Sequence, residues 1–259
     1  MHDEIDRVQQ KAAELAWAVD GRVGNNILAL GLGVTVFWPA LLAMRPQGLE
    51  ASDLARLKGR YEALNLAQQR QGCAPSTPDL PARRAQALPV ALGEKLVYED
   101  RSGPRGAATL SSLQLLALRR GEIEFRSSET ERSTWVQDLA GNVVSAPQGA
   151  LSWPRLLRSE LELGQVIAGD FQLVGDPLLR ARMHGQVVAV GPQTVAERRF
   201  DVAVVELFGD AQSGDAYTRV DGAIVIDRSS GVLLRLDLRS ANPAFSLQRR
   251  LLRVEPAAR

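Results

Sequence analysis

Few side chains in this sequence are suited to nucleophilic or metal chemistry. The 259 residues include two histidines, His2 and His184, and one cysteine, Cys73. A serine hydrolase pairs its nucleophile with a histidine, often in a Gly-x-Ser-x-Gly turn, and the sequence contains no such turn. His184 lies in the strand-like stretch MHGQVVAV, where an ordinary sheet histidine is expected. So few imidazoles and thiols also predict no transition-metal site.

Acidic pairs and glycine pairs offer no clearer site. Glu122 and Glu124 are two residues apart, as strand residues on one face are, and we expect solvated charges rather than an acid–base pair. The same expectation applies to Asp221 and Asp227. Gly31-x-Gly33 lacks the preceding strand and following helix that a phosphate cradle needs. The sequence therefore predicts no catalytic residue, no cofactor and no enzyme activity.

Charge and composition argue against a nucleic-acid partner. The chain has 31 Lys and Arg against 30 Asp and Glu, which leaves a net charge of +1. Nucleic-acid binding needs a basic stripe, and no long block of one charge occurs here. Aromatic residues make up only 5% of the chain, too few for a platform on which bases stack.

An apolar segment, Ile27–Met44, is the most informative part of the chain. It reads ILALGLGVTVFWPALLAM, and no charged residue occurs between Arg22 and Arg45. Eighteen apolar residues are about the length at which a membrane-spanning helix becomes a better interpretation than a buried core helix. The segment therefore predicts a membrane-associated protein, with an internal core helix as the alternative.

Small and aromatic residues within this segment leave its path through the membrane open. Gly31 and Gly33 are typical of helices that pack closely in membranes. Phe37, Trp38 and Pro39 follow as an aromatic pair and a helix breaker, so a kink or a re-entrant turn competes with a straight span. The charges that flank the segment on both sides do not decide between these topologies.

Helical periodicity occurs on both sides of the apolar segment. Apolar residues recur every three or four positions over Ile5–Val23 and again over Leu54–Leu64. The second helix ends at Gly72. Residues 1–73 are therefore predicted to form a helical, membrane-associated arm. A helical hairpin packed on itself is the simpler interpretation, and pairing with a separate partner is the alternative.

The remaining chain has the pattern of a β domain. Four prolines in residues 74–92 predict an extended linker. From Gly93 onwards, short apolar or alternating stretches are separated by turn residues, which predicts an antiparallel β domain over 93–259, either an open barrel or a strongly curved sheet. The fold class expected for the whole chain is α+β. The predicted strands are Lys95–Glu99, Thr109–Leu118, Ile123–Ser127, Thr134–Asp138, Asn142–Ser145, Met183–Val190, Arg199–Phe208, Tyr217–Asp227, Val232–Arg239 and Leu247–Val254.

The stretch Phe37–Cys73 resembles a bacterial envelope lipoprotein-like module. That module combines a glycine-rich apolar segment ending in an FWPAL-like motif with a helix of the type LARLKGxYEAL and a closing cysteine. The matching residues here are Phe37 to Leu41, Leu54 to Leu64 and Cys73. The resemblance covers roughly residues 5–73 and does not extend into the β domain.

The resemblance implies an upstream lipoprotein signal and a second cysteine before the first helix. It therefore implies that the start at Met1 is truncated or misassigned, and that Cys73 lacks its disulfide partner. In the chain as given, we expect the Cys73 thiol to be exposed and reactive.

The function expected from the sequence is that of a non-enzymatic protein of the bacterial cell envelope. Its N-terminal arm would attach to the membrane, and its β domain would face the periplasm for binding or assembly. The expected partners are the membrane and either another envelope protein or a lipid, with no nucleic acid. The alternatives are a periplasmic carrier of a lipid or another hydrophobic ligand, and a hydrolase whose site the sequence does not reveal.

Overall fold

The computed structural model describes residues 35–36, 88–103, 106–119, 121–128, 134–213 and 216–257. These residues form β-strands and one short 3₁₀ helix, Pro243–Phe245, and contain no α-helix. The strands in chain order are β1 (Thr35–Val36), β2 (Lys95–Ser102), β3 (Ala108–Arg119), β4 (Glu122–Ser127), β5 (Thr134–Asp138), β6 (Val143–Ser145), β7 (Leu151–Ser152), β8 (Val166–Leu173), β9 (Asp176–Val195), β10 (Arg198–Ser213), β11 (Ala216–Asp227), β12 (Leu233–Ser240) and β13 (Leu247–Glu255).

The strands form one antiparallel sheet that is nearly closed into a barrel. Their order is β6-β5-β4-β3-β2-β13-β12-β11-β10-β9-β8-β7, with β1 pairing to β9 off this path. The two end strands of this order, β6 and β7, lie close together. The backbone N–H of Trp153, the residue directly after β7, donates a hydrogen bond to the Val143 carbonyl oxygen of β6 (3.3 Å). The predicted antiparallel β domain is therefore confirmed within the described part of the chain, and of its two expected forms, an open barrel and a strongly curved sheet, the barrel is the one observed.

Strand alternation separates the interior of the barrel from its outer surface. In β4, Ile123 and Phe125 are fully buried, while Glu122 and Arg126 are exposed. Side chains of this inner face fill the barrel with apolar and aromatic groups. The largest of the fully buried residues include Tyr98, Phe125, Trp153, Phe171 and Phe245.

The α+β fold class is wrong for the described residues, which are antiparallel strands without an α-helix. Most of the predicted helical arm lies outside them. The exception is β1, in the middle of segment 27–44, where Thr35 pairs with Val190 and Val36 with Ala189. β8 pairs with β9 only as far as Val166, so β1 extends the same edge with two β-branched residues, which favour strands. No helix within the described ranges has the length and apolar character needed to cross a membrane.

The hairpin predicted over Asp221–Ser240 is present as β11 and β12. Its turn is organised by Asp227, which is fully buried. The Asp227 carboxylate accepts hydrogen bonds from the N–H groups of Asp201 (2.9 Å) and Ser230 (2.8 Å) and from the hydroxyls of Ser229 (2.5 Å) and Ser230 (2.6 Å). The bond from Asp201 joins the β11–β12 turn to β10, and the bonds from Ser229 and Ser230 lie within the turn.

The β11–β12 turn also contacts the β5–β6 turn, although their strands are not neighbours in the sheet. The Gln137 side chain donates a hydrogen bond to the Gly231 carbonyl oxygen (2.9 Å). Gly141 and Gly231 approach so closely that a Cβ on Gly141 would lie 2.7 Å from the Gly231 oxygen. Both glycines have positive φ angles, +88° and +69°, which other residues rarely adopt.

The β9–β10 hairpin is longer than its sequence pattern predicts. Val195 pairs with Arg198, so Ala196 and Glu197 form a two-residue turn, and their φ angles are +52° and +64°. Asn and Gly are the usual residues of such turns, because positive φ is costly for alanine and glutamate. The turn was therefore missing from the sequence prediction, and the strands on both sides of it were predicted too short.

We expect replacement of Ala196 by Asn together with Glu197 by Gly to stabilise the protein. Both residues would then match the backbone of the turn, and the free energy of unfolding should rise by about 1 kcal/mol. Urea unfolding of the full chain measures this change. An unchanged or lower stability would show that Ala196 and Glu197 are not strained in this turn.

Candidate binding cavity

A row of cross-strand partners lines one part of the barrel interior. Leu236 of β12 lies opposite Arg249 of β13, Arg249 opposite Asp100 of β2, and Asp100 opposite Thr109 of β3. Because directly paired residues share a face of the sheet, all four belong to the inner face. Two charged side chains thus lie side by side on the inner face, between the buried Leu236 and the exposed Thr109.

Asp100 and Arg249 form a two-pronged ion pair. Arg249 Nε lies 2.7 Å from Asp100 Oδ1, and Arg249 Nη2 lies 2.8 Å from Asp100 Oδ2. The Ser111 hydroxyl donates a further hydrogen bond to Oδ2 (2.5 Å). Only 14% of the Arg249 side chain and 9% of the Asp100 side chain are exposed. The pair therefore brings two opposite charges, and no net charge, into a largely buried place.

Two aromatic rings lie beside the Arg249 guanidinium. Its central carbon is 5.5 Å from the ring centroids of both Tyr98 and Trp135, within the range of a cation–π contact. The Tyr98 hydroxyl donates a hydrogen bond to the Leu233 carbonyl oxygen (3.0 Å). Burial raises the pKa of Tyr98 far above its ordinary value, so this phenol stays neutral at physiological pH.

Trp135, Trp153 and Phe171 form a connected aromatic cluster next to this pair. The ring centroids of Trp135 and Trp153 are 6.3 Å apart and the rings are nearly perpendicular. The ring centroids of Trp153 and Phe171 are 5.3 Å apart. The Trp153 indole N–H donates to the Gly141 carbonyl oxygen (2.8 Å). That bond fixes the Trp153 ring to the turn that packs against Gly231.

The ion pair and the two tryptophans border a cavity of about 460 Å³. Its buried wall contains Asp100, Trp135, Leu151, Trp153 and Leu236. Five other lining residues are exposed to solvent, so the cavity reaches the surface at their end: Ser102, Thr109, Gln148, Gly149 and Pro243. The remaining lining residues are Pro147, Ala150, Leu173, Ala244, Ser246, Leu247 and Arg249.

Two loops complete the cavity wall at its exposed end. The β6–β7 loop is attached to the turn between β8 and β9 through a hydrogen bond from the Gly149 N–H to the Val174 carbonyl oxygen (2.8 Å). In the β12–β13 loop, the Asn242 side chain accepts a hydrogen bond from the Ala244 N–H (3.1 Å), and Phe245 is fully buried. Both loops are therefore anchored, and the shape of the cavity is largely preformed.

The other side chains considered for chemistry do not meet at this cavity. His184 is exposed on the outer face of β9 and stacks on Phe208 (5.8 Å between ring centroids). Glu122 and Glu124 lie on the outer face of β4, and Asp221 pairs with Arg219 (2.9 Å). No group of three or more His, Cys, Asp or Glu suited to a metal ion occurs within the described ranges. Cys73 and all the residues singled out in the predicted membrane segment lie outside these ranges, and only β1 of that segment is described. The singled-out residues are Ile27, Gly31, Gly33, Phe37, Trp38, Pro39 and Met44.

Sequence reasoning missed the residues that line the cavity. One signal was available: Asp100 follows Leu96 and Tyr98 at the inner positions of β2, and Arg249 lies between Leu247 and Leu251 in β13. A charge on an otherwise apolar strand face indicates a buried partner or a site. Trp153 had no such signal, because it lies in a loop directly after the two-residue strand β7.

Comparisons with known proteins find no matching family model and no matching curated protein. Three solved bacterial structures show a weak similarity of fold. One, from Bacteroides fragilis, is described as an exported protein with a YmcC-like fold. It shares 10% identity and a TM-score of 0.40, over 65% of this chain and 98% of that chain.

The other two structures are described as lipoproteins. The protein from Parabacteroides distasonis shares 12% identity and a TM-score of 0.35, over 64% of this chain and 96% of that chain. YmcC from Escherichia coli shares 12% identity and a TM-score of 0.38, over 65% of this chain and 90% of that chain. These neighbours are thus exported proteins or lipoproteins by description, and similarity at these values supports no functional argument for this chain.

Proposed function

We propose that this protein is a non-enzymatic binding protein of the bacterial cell envelope, and that its barrel binds a small uncharged ligand with a hydrophobic body. The observation that supports this most strongly is the preformed cavity with its tryptophan wall and its Asp100–Arg249 pair. The envelope location rests on the resemblance of Phe37–Cys73 to an envelope lipoprotein-like module. Attachment through the N-terminal arm and a periplasmic β domain belong to the same proposal.

The volume of the cavity restricts the size of the ligand. About 460 Å³ lies in the lower part of the range of about 300–1,000 Å³ that is typical of small-molecule sites. A single acyl chain or a compact ring system matches such a volume. The hydrophobic-ligand carrier is thus best supported for a ligand that inserts a single chain or a ring system.

The charges in the cavity favour a neutral ligand. Asp100 and Arg249 neutralise each other, and Ser111 supplies an additional hydrogen bond to the carboxylate. A charged ligand would have to compete with one member of this pair and leave the other without its partner, which is costly in a largely buried place. A neutral ligand can instead contact the aromatic rings and leave the pair intact.

The arrangement of polar groups supports a binding role over a catalytic one. Ser102, Thr109 and Ser246 place hydroxyls in the cavity lining. A serine or threonine nucleophile needs a nearby base, and His184 lies on the outer face of the barrel. The carboxylate of Asp100 is already occupied by two bonds from Arg249 and one from Ser111.

Phenylnaphthylamine, a small neutral aromatic probe, tests ligand binding by its fluorescence increase in apolar surroundings. The full chain should bind it saturably. Replacing Ala244, which lines the cavity, by Trp should weaken binding at least about tenfold, because the larger side chain occupies the cavity. Replacing Ala241 by Trp provides the matched control, since this residue is exposed in the same loop and does not line the cavity.

The comparison of the two tryptophan variants decides the outcome. Weak binding by the Ala244→Trp variant and ordinary binding by the Ala241→Trp variant support the cavity as the site. Equal binding by both variants, at matched thermal stability, would place the probe elsewhere and contradict the proposal.

A further inference from the structure

The outer face of three adjacent strands carries an excess of basic residues. β2, β13 and β12 are neighbours in the sheet, and their inner faces line the cavity. Their outer faces carry six basic and three acidic side chains, which gives this region a net charge of +3 in a chain of net charge +1. We call these nine residues the cationic face: Lys95, Glu99, Arg101, Arg235, Asp237, Arg239, Arg250, Arg253 and Glu255.

Each carboxylate of the cationic face lies between two basic side chains. Glu99 is 3.4 Å from Arg101 and 3.6 Å from Arg250. Asp237 is 3.0 Å from Arg239 and 3.5 Å from Arg235. The third carboxylate, Glu255, lies in the same way between Arg253 (2.8 Å) and Lys95 (3.8 Å). This pattern fixes the positions of the basic groups and leaves one positive charge in excess at each carboxylate.

The basic side chains of the cationic face remain accessible. Their exposed fractions range from 30% for Arg235 to 60% for Arg250. A guanidinium carries five N–H donors, and a contact with one shared carboxylate uses only some of them. Arginine binds phosphate groups in the same two-pronged manner as it binds carboxylates. The face is therefore suited to a partner that presents many phosphates.

We propose that the cationic face docks the barrel onto an anionic phospholipid surface. Three excess charges, spread over three strands about 4.8 Å apart, match lipid headgroups that diffuse laterally and collect beneath separate cations. A nucleic acid fits less well, because its phosphates have fixed spacing and this face contains no aromatic residue on which a base stacks. This proposal goes beyond ligand binding, and it does not depend on the N-terminal arm.

Vesicle sedimentation of the full chain tests the docking surface. Vesicles of phosphatidylcholine mixed with phosphatidylglycerol are compared with vesicles of phosphatidylcholine alone, and the ratio of the two partition coefficients is measured. Dividing by neutral-vesicle binding removes any contribution that does not depend on lipid charge. Each basic residue near an anionic surface contributes about fivefold to partitioning, and salt screens this contribution.

A variant with Arg101→Gln, Arg239→Gln and Arg253→Gln removes one of the two basic partners of each carboxylate, and with them the three excess charges. Its partition ratio should fall at least about tenfold. The control variant carries Arg155→Gln, Arg158→Gln and Arg182→Gln, which are exposed residues on other elements and cause the same change in net charge. Its ratio should change by less than about twofold.

Three results would overturn the docking proposal. The first is a wild-type partition ratio of one, which means no preference for anionic vesicles. The second is an equal fall of the ratio in both variants, which assigns any preference to net charge alone. The third is binding of the wild type to immobilised DNA when it shows no preference for anionic vesicles, which assigns the cationic face to a soluble polyanion. Probe binding in the cavity is measured on the same variants, so failure of this proposal is distinguishable from failure of the proposed ligand site.

Discussion

Replacing Arg249 by Met is expected to destabilise the barrel by about 3–5 kcal/mol. The substitution leaves the Asp100 carboxylate, only 9% exposed, without the guanidinium that donates two hydrogen bonds to it. Removing one partner of a buried ion pair is costly for this reason, even where the intact pair contributes little. Equilibrium unfolding in urea measures the change. A loss below about 1 kcal/mol would show that the pair is solvated in solution, as exposed ion pairs are.

A double substitution separates the charge of this pair from its packing. With Asp100→Leu and Arg249→Met together, no charge remains at the site, and most of the lost stability should return. The exposed pair Arg219–Asp221, at 77% and 50% side-chain exposure, serves as the control, and its disruption should cost less than about 1 kcal/mol. Additive losses in the Asp100–Arg249 cycle would contradict the direct coupling of the two residues.

Replacing Gly141 by Ala is expected to cost about 2–4 kcal/mol. A Cβ at this position would lie 2.0 Å from Ile226 Cδ1 and 2.7 Å from the Gly231 carbonyl oxygen. Ile226 is fully buried, so its side chain has little room to move. The φ angle of +88° adds a conformational cost. Thermal or urea unfolding measures the total.

Gly121 provides a matched control for this prediction. Its φ angle of +86° nearly equals that of Gly141, and a Cβ there would meet nothing within 4 Å. Gly121→Ala should therefore show only the conformational cost of about 1 kcal/mol. Equal losses at the two positions would mean that the contact between the β5–β6 and β11–β12 turns is not tight in solution.

The Gly141 substitution should also weaken ligand binding. The Gly141 carbonyl oxygen accepts the hydrogen bond from the Trp153 indole, and Trp153 forms part of the buried cavity wall. A shift of this turn moves the Trp153 ring. The turn contact thus supports both the stability of the barrel and the shape of the cavity.

The β architecture after Gly93 was predictable because local sequence patterns indicate its strands and turns. Alternation in β4 and the Ser229-Ser230-Gly231 turn between β11 and β12 are local signals, and both correspond to the observed elements. The β9–β10 turn was not predictable, because Ala196 and Glu197 adopt positive φ angles without the residue types that usually mark them. β7 and β8 were also absent from the sequence prediction.

The cavity was not predictable because its parts are far apart in the chain. Asp100 and Arg249 are separated by 149 positions, and only the pairing of β2 with β13 brings them together. No local pattern specifies that pairing. The outward basic residues of the same strands were visible in the sequence, but their collection on one face also depends on strand order.

The apolar segment shows that length and hydropathy alone do not determine whether a segment forms a helix or a strand. Over Ile27–Met44 these properties favoured a membrane helix, yet Thr35–Val36 forms a strand on the edge of β9. An apolar run that contains consecutive β-branched residues, here at positions 34–36, suits a sheet edge as well as a helix, and periodicity alone does not separate the two. The membrane role of the other residues in the segment stays a prediction.

Native mass spectrometry of the full chain, purified from bacterial envelopes without denaturation, tests the central proposal most directly. We predict that the protein carries a neutral adduct of the size of a single acyl chain or compact ring system. We also predict that the adduct is lost in the Ala244→Trp variant and retained in the Ala241→Trp variant. An adduct that both variants carry in equal amounts, or a wild-type protein that carries none and takes up no neutral hydrophobic probe, would contradict a ligand-binding barrel.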